Sequence, residues 1–212
     1  MTDILLYGHP ESGHACKVAL ALSLAGVDHR TVLVDIWAAP ESRPAEFLAA
    51  SPLAEVPLLL IDGEPFFQSG AILMEIASRF ACLGGETAGG LRRGRELLMW
   101  EANRIGMCLP QLIESRRTQD EPRRVPETEP LARAVEWLKG RYDVDCARFA
   151  QLLGAGPFFH GLGPGIGDCA IWGYVQWLEK AGVEPTPVMS GWIAAMRALP
   201  AMKTPEAFFM DA

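Results

Sequence analysis

The hydrophobic period of this chain changes once along its 212 residues, and that change limits the fold more than any single motif does. Over roughly the first 80 residues short apolar runs alternate with helical patterns, whereas beyond about residue 90 only the helical period persists. The expected architecture is an α/β part followed by an all-α part, with no internal repeat. A chain of this length buries roughly 70–75% of its unfolded surface and needs no covalent staples.

Ile4 to Tyr7 reads as a buried strand. Ala15, Val18, Ala19, Leu22 and Ala25 then recur at the spacing of one helix face, and Gly26 ends that helix. Thr31 to Val34 is a second β-rich run, residues 43–50 a short helix, Val56 to Ile61 a third strand, and Asp62-Gly63 a hairpin turn into Phe66-Phe67. A helix starts near Ser69. This order combines a parallel crossover with a terminal antiparallel hairpin, which is thioredoxin-like.

Gly84-Gly85 and Gly89-Gly90 bracket a stretch without apolar periodicity. The expected division is therefore a thioredoxin-like domain over 1–82, a linker over 83–90 and a helical-bundle domain over 91–212. Leu97, Leu98, Trp100, Ile105, Leu109 and Leu112 support one long helix that Pro110 should bend. Pro122, Pro126 and Pro130 mark a polar break, and Leu131, Val135, Leu138 and Tyr142 give the returning helix. Ile171, Val175 and Leu178 predict another, and Trp192, Ile193, Met196 and Leu199 a last short one. Trp100, Trp172 and Trp192 are expected in the core. Phe208-Phe209 either closes over a pocket or docks on the bundle.

A net charge of −7 argues against nucleic acid as a partner, since phosphate binding demands clustered Lys and Arg. The one basic cluster, Arg116-Arg117 with Arg123-Arg124, is interrupted by Asp120 and Glu121 and reads as a solvated loop. No apolar run approaches the roughly 20 residues of a membrane span. Met1-Thr2-Asp3 leads directly into the first strand without an export segment, so a cytoplasmic protein is expected. The five cysteines lack CxxC spacing, and no metal site is expected from them.

Chemistry concentrates in the loop His9-Pro10-Glu11-Ser12-Gly13-His14, where the first helix begins and its positive end favours an anion. Thioredoxin-like proteins place a redox motif at this helix start. Here the four residues are Ser12-Gly13-His14-Ala15, so dithiol exchange is chemically unavailable. Ser12 can instead donate a hydrogen bond to a thiolate carried by a ligand. Such a bond is worth about 1.5–3 kcal/mol, and one pKa unit is about 1.36 kcal/mol, enough to bring a thiol toward neutrality. The same serine suits a plain helix cap. Cys16, one turn into the helix, reads as a packing residue.

A second constellation is Ser51-Pro52-Leu53-Ala54-Glu55-Val56-Pro57, followed by Gln68-Ser69-Gly70-Ala71-Ile72. A cis Val56–Pro57 bond would leave the Val56 backbone free to pair with an extended peptide, although trans is the usual form. Gln68-Ser69, at a helix start, offers a hydroxyl and N–H groups to a carboxylate, or simply an N-cap.

Together these motifs resemble the glutathione transferase family: Leu6-Tyr7-Gly8-His9-Pro10 with Ser12 and Lys17-Val18, Ser51-Pro52 through Val56-Pro57, Asp62-Gly63, and Gln68-Ser69 with Ala71-Ile72-Leu73. The helical half resembles it more loosely, through Trp100, Pro110 and the helix start containing Asp168. The resemblance implies glutathione as co-substrate, its cysteinyl backbone at Val56 beside Pro57, its γ-glutamyl end at Gln68 and Ser69, and its sulfur facing Ser12. Tyr7 is the alternative thiol-activating residue, because some classes use a tyrosine at the end of the first strand. An acceptor pocket is implied between Ser12-Gly13-His14 and the middle of the long helix, with His14, Met107 and Gln111 as lining. A homodimer is implied too.

The implied function is a glutathione transferase that activates the thiolate for attack on a small hydrophobic electrophile, or a related lyase, dehalogenase or isomerase. The alternative is a non-catalytic transferase-like binding or interaction module. Two positions depart from the family pattern. Glu55 stands where many relatives carry lysine or glutamine, and an inward carboxylate there would repel the glycyl end of glutathione. Gly165 stands where a serine or threonine usually precedes the aspartate by three residues.

Overall fold

A computed structural model describes residues 2–117, 121–122 and 132–210. Strands β1 (Ile4–Gly8), β2 (Arg30–Leu33), β3 (Leu58–Ile61) and β4 (Glu64–Phe67) form one sheet in the order β2-β1-β3-β4. β1 and β2 run parallel, joined through helix α1 (Gly13–Leu24), while β3 is antiparallel to both β1 and β4. Asp62 and Gly63 turn the β3–β4 hairpin with φ of 50° and 83°, the paired positive values of a tight two-residue turn. Helices α2 (Ala45–Ala50) and α3 (Ser69–Phe80) complete this thioredoxin-like half. The third strand begins at Leu58 and so excludes the expected Val56 and Pro57.

The remaining elements among the described residues are helices: α4 (Ala88–Asn103), α5 (Ile105–Ser115), α6 (Ala132–Leu153), α7 (Ile166–Val175), α8 (Leu178–Ala181), α9 (Pro187–Arg197) and α10 (Pro205–Phe209). Gly89 and Gly90 stand in the first turn of α4, whose N-cap is Thr87. The expected single long helix is two. The break falls at Arg104 (φ −125°, ψ −98°), not at Pro110, which lies inside α5. Arg104 leaves the helical region, closes a tight turn onto Glu101 O and starts the next helix by accepting from Met107 N and Cys108 N. Pro110 removes one backbone bond without ending the helix.

Alternation along β1 sends Ile4 and Leu6 into the main core and Tyr7 into a smaller one with Val34, Phe47 and Leu58. Helix α1 is buried on nearly every side, because its second face is covered by α7 from the helical half. Trp172 and Trp192 are buried as expected, whereas Trp100 packs at the core's edge. Phe208 and Phe209 are buried, but on α1 and β2 of the N-terminal half, with the Phe209 ring against Gly8. Neither ring lines the clefts described below. Arg123, Arg124, Pro126, Pro130 and Leu131 lie outside the described residues.

Asp168 organises the bundle's centre. Its carboxylate accepts hydrogen bonds from Gly165 N at 3.0 Å, Phe159 N at 3.0 Å and Trp192 Nε1 at 2.8 Å. Gly165 is the N-cap of α7 and offers no side chain, so Asp168 satisfies the capping residue's own amide.

Candidate functional site

The β1–α1 loop delivers Ser12 to the mouth of the first helix. Its backbone is extended (φ −95°, ψ 105°), and its Oγ accepts a hydrogen bond from Ala15 N at 3.2 Å, so it caps α1. Capping occupies a lone pair and leaves the hydroxyl proton to donate. Ser12 is 2% exposed, yet it floors a cleft of ≈ 570 Å³ walled by His14, Trp37, Arg43, Glu55 and Val56. Tyr7 is turned elsewhere: its ring lies 5.5 Å from Phe47, between centroids, and it lines neither this cleft nor its neighbours. Burial, and then the charge of Glu46, push its hydroxyl pKa up, which disfavours a tyrosinate. Cys16 is more inert still, its thiol pushed up to about 12 by burial.

A second cleft of ≈ 90 Å³ adjoins the first through His14, Leu53, Glu55 and Val56, and Pro57, Gln68 and Ser69 close it. The Val56–Pro57 bond is cis. Val56 precedes the ladder, whose first β3 residue, Leu58, pairs with Tyr7 and Phe67. Gln68 is held at φ 67°, ψ 112°, a conformation that costs a residue with a side chain about 1–3 kcal/mol. That turn lets Ser69 open α3 beside the cleft, where the helix's free N–H groups and positive end favour an anion. Ser12, Val56, Pro57, Gln68 and Ser69 thus surround two contiguous clefts.

His14 belongs with this group rather than with the acceptor residues. Its Nδ1 lies 3.3 Å from Ser69 Oγ and 3.3 Å from Lys17 Nζ. An ammonium only donates, so Nδ1 is assigned as the acceptor and Nε2 as the protonated nitrogen. Lys17 is itself buried, with Nζ 2.9 Å from Glu101 Oε1 of α4. Two close approaches allow this. Gly13 and Gly173 meet backbone to backbone where α1 crosses α7, and a Cβ on Gly173 would stand 2.5 Å from Lys17 Cγ. A Cβ on Gly106 would stand 2.0 Å from Glu101 Oε1, so the break at Arg104 and the bare Gly106 together let the carboxylate turn to the lysine. The α7 crossing also brings Tyr174 edge-on to His14, with centroids 5.2 Å apart.

The third cleft, ≈ 240 Å³, lies between the two halves and is lined by the rings of Trp37, Tyr174 and Trp177 together with Gln111, Arg117 and Lys180. Trp37 is shared with the Ser12 cleft. Of the expected acceptor residues, Gln111 lines this cleft. Met107 packs against the main core, its carbonyl accepting from Gln111 Nε2 at 3.0 Å. Arg117 is not on a solvated loop: its guanidinium sits 4.4 Å over the Trp37 ring and pairs with Glu11 at 3.4 Å and Glu114 at 3.2 Å. Lys17 as an ion-pair partner, Trp37, Tyr174 and Trp177 went unassigned in the sequence. The only local signal was the small residue at each of Gly13 and Gly173. Among the described residues no three His, Cys, Asp or Glu side chains are grouped to hold a metal.

Residues 2–78 match the family described as Glutathione S-transferase, N-terminal domain. The theta class glutathione S-transferase of Xanthomonas axonopodis pv. citri, solved with glutathione bound, superposes with a TM-score of 0.79, covering 100% of this chain and 99% of that one at 20% identity. Residues 2–78 are therefore a glutathione S-transferase N-terminal domain, and the whole described chain shares the fold of that transferase structure. Glutathione S-transferase 3 of Zea mays is 33% identical over 100 residues, which make up 47% of the present chain; the chain spans 45% of that relative's length. Maleylacetoacetate isomerase of Pseudomonas aeruginosa is 28% identical over 180 residues, 84% of this chain and 82% of the relative.

Proposed function

We propose that this protein is a glutathione transferase that binds glutathione along the clefts at Ser12 and Ser69 and holds its sulfur as a thiolate for attack on a flat, apolar electrophile. The γ-glutamyl carboxylate goes to Gln68, Ser69 and the start of α3, the cysteinyl backbone to Val56 beside Pro57, and the sulfur to Ser12. The observation that carries this reading is Ser12 itself: its oxygen is fixed by Ala15 N while its proton remains to be donated, on the floor of a cleft contiguous with Val56 and His14. A hydrogen bond to a charged group is worth about 1.5–3 kcal/mol, sufficient to lower a thiol pKa by one to two units.

The acceptor site is the cleft of Trp37, Tyr174 and Trp177, whose three rings suit a planar apolar molecule. In division of labour, residues 1–82 hold the peptide and residues 91–212 supply most of the acceptor wall. Conjugation is the proposed reaction. The isomerase relative keeps isomerisation among the reactions that the same thiolate would drive. A homodimer in the cytoplasm completes the proposal, and light scattering tests the dimer.

Calorimetric titration with glutathione, followed by an activity assay on an electrophilic aryl halide, tests the function. Binding at millimolar concentration or tighter, with activity lost in Ser12→Ala and retained in Tyr7→Phe, supports the enzyme. No glutathione binding at all favours the non-catalytic module.

A further inference from the structure

Cleft chemistry is uneven along the path proposed for glutathione, and this inference rests on that path. One end of the path, at Gln68 and Ser69, offers a helix start to an anion. Where the two clefts meet, the path offers an anion an acid. Glu55 is exposed at the boundary of both clefts and lines each of them. A tripeptide extends about 10 Å at roughly 3.4 Å per residue, so a molecule anchored at Ser69 and paired at Val56 brings its C-terminal end past Glu55.

Beyond that boundary, Arg43 is the cation among the described residues lining the Ser12 cleft. Two of its guanidinium nitrogens are held by the protein's own backbone, Nη1 donating to Ala54 O and Nη2 to Ile36 O at 3.3 Å and Ala38 O at 3.4 Å, while Nε is buried away from the cleft's solvent. It ties the loop before α2 to the Ser51–Glu55 turn and leaves Glu55 as the acidic group a ligand meets. Glu55 forms no ion pair among the described residues, although its own carbonyl accepts from Ser51 Oγ at 3.4 Å.

We infer that Glu55 is a specificity-determining residue that turns this thiol site away from the free tripeptide acid and toward a glutathione whose glycyl carboxylate is masked as an amide or ester, above all one carrying an amine there. Two like charges about 4 Å apart in a solvent-filled cleft weaken binding roughly fivefold, and more as water is excluded. An ammonium at the same place is attracted by a comparable factor.

The test is calorimetry of the intact protein and its Glu55→Gln variant with three probes: glutathione, its glycyl ethyl ester, and its glycyl ethylenediamine amide. Glu55 is exposed, so the variant should melt with the wild type. Expected for the wild type is the affinity order amine amide, ester, free acid, with the ester at least about fivefold tighter than the acid. In Glu55→Gln the acid gains about fivefold and the three converge to within about twofold. A wild type that binds the free acid as tightly as the ester, or an order that survives in Glu55→Gln, overturns the role of Glu55 and leaves the thiol site standing. Failure of all three probes to bind either protein overturns the thiol site itself.

Discussion

Lys17 Nζ lies 2.9 Å from Glu101 Oε1 with both side chains buried, and this ion pair ties α1 of the thioredoxin-like half to α4 of the helical half. Removing one member of a buried pair strands the other charge, which costs about 3–5 kcal/mol. Lys17→Met should therefore lower the urea midpoint sharply. The double variant Lys17→Met/Glu101→Leu should recover most of the loss, because two apolar side chains satisfy each other. Equal midpoints for the single and double variants would contradict the pairing.

Gly106 makes room for the Glu101 carboxylate, so Gly106→Ala must displace it from Lys17. A loss of about 1–3 kcal/mol is expected, within the range for a disrupted buried polar group. Gly140→Ala in α6 is the control, since nothing lies within 4 Å of the added Cβ, and it should stabilise by about 0.5–1 kcal/mol through helix propensity. Thermal melts of the two variants should move in opposite directions.

These residues also mark what the sequence made legible. Strand and helix periods recovered the order β1 to α3 because each depends on neighbours only two to four residues apart. That Ser12, Gln68 and Ser69 stand at helix starts was legible because the backbone chemistry there is local. Nothing near Lys17 in sequence marks it as buried, and only Glu101, 84 residues away, explains its burial. Tyr174 joins the site through the α1–α7 crossing and Trp37 from the loop after β2, and no local pattern encodes their meeting. The break at Arg104 was missed for the same reason, since Arg104 turns out toward Asp145 on α6.

Asp168 predicts a pH effect on stability. Burial pushes its carboxyl up from the ordinary 3.8 to about 6, against the lowering effect of the hydrogen bonds from Trp192, Phe159 and Gly165. Between those values the folded protein holds a proton that the unfolded chain has released. Its contribution to stability is then fullest below about pH 4 and is lost as pH rises through about 6. Urea denaturation should show the wild-type stability falling relative to Asp168→Asn across that window and running parallel above it. A difference that stays constant from pH 4 to 7 would contradict the assignment.

Ser12 bears the central role proposed for this protein, and the ionisation of bound glutathione probes it most directly. Following the thiolate's ultraviolet absorbance against pH, the complex with the wild type should titrate one to two units below free glutathione, given a bond worth about 1.5–3 kcal/mol. In Ser12→Ala most of that shift should vanish while glutathione remains bound. An unchanged titration in Ser12→Ala, or a shift abolished instead by Tyr7→Phe, would contradict the account.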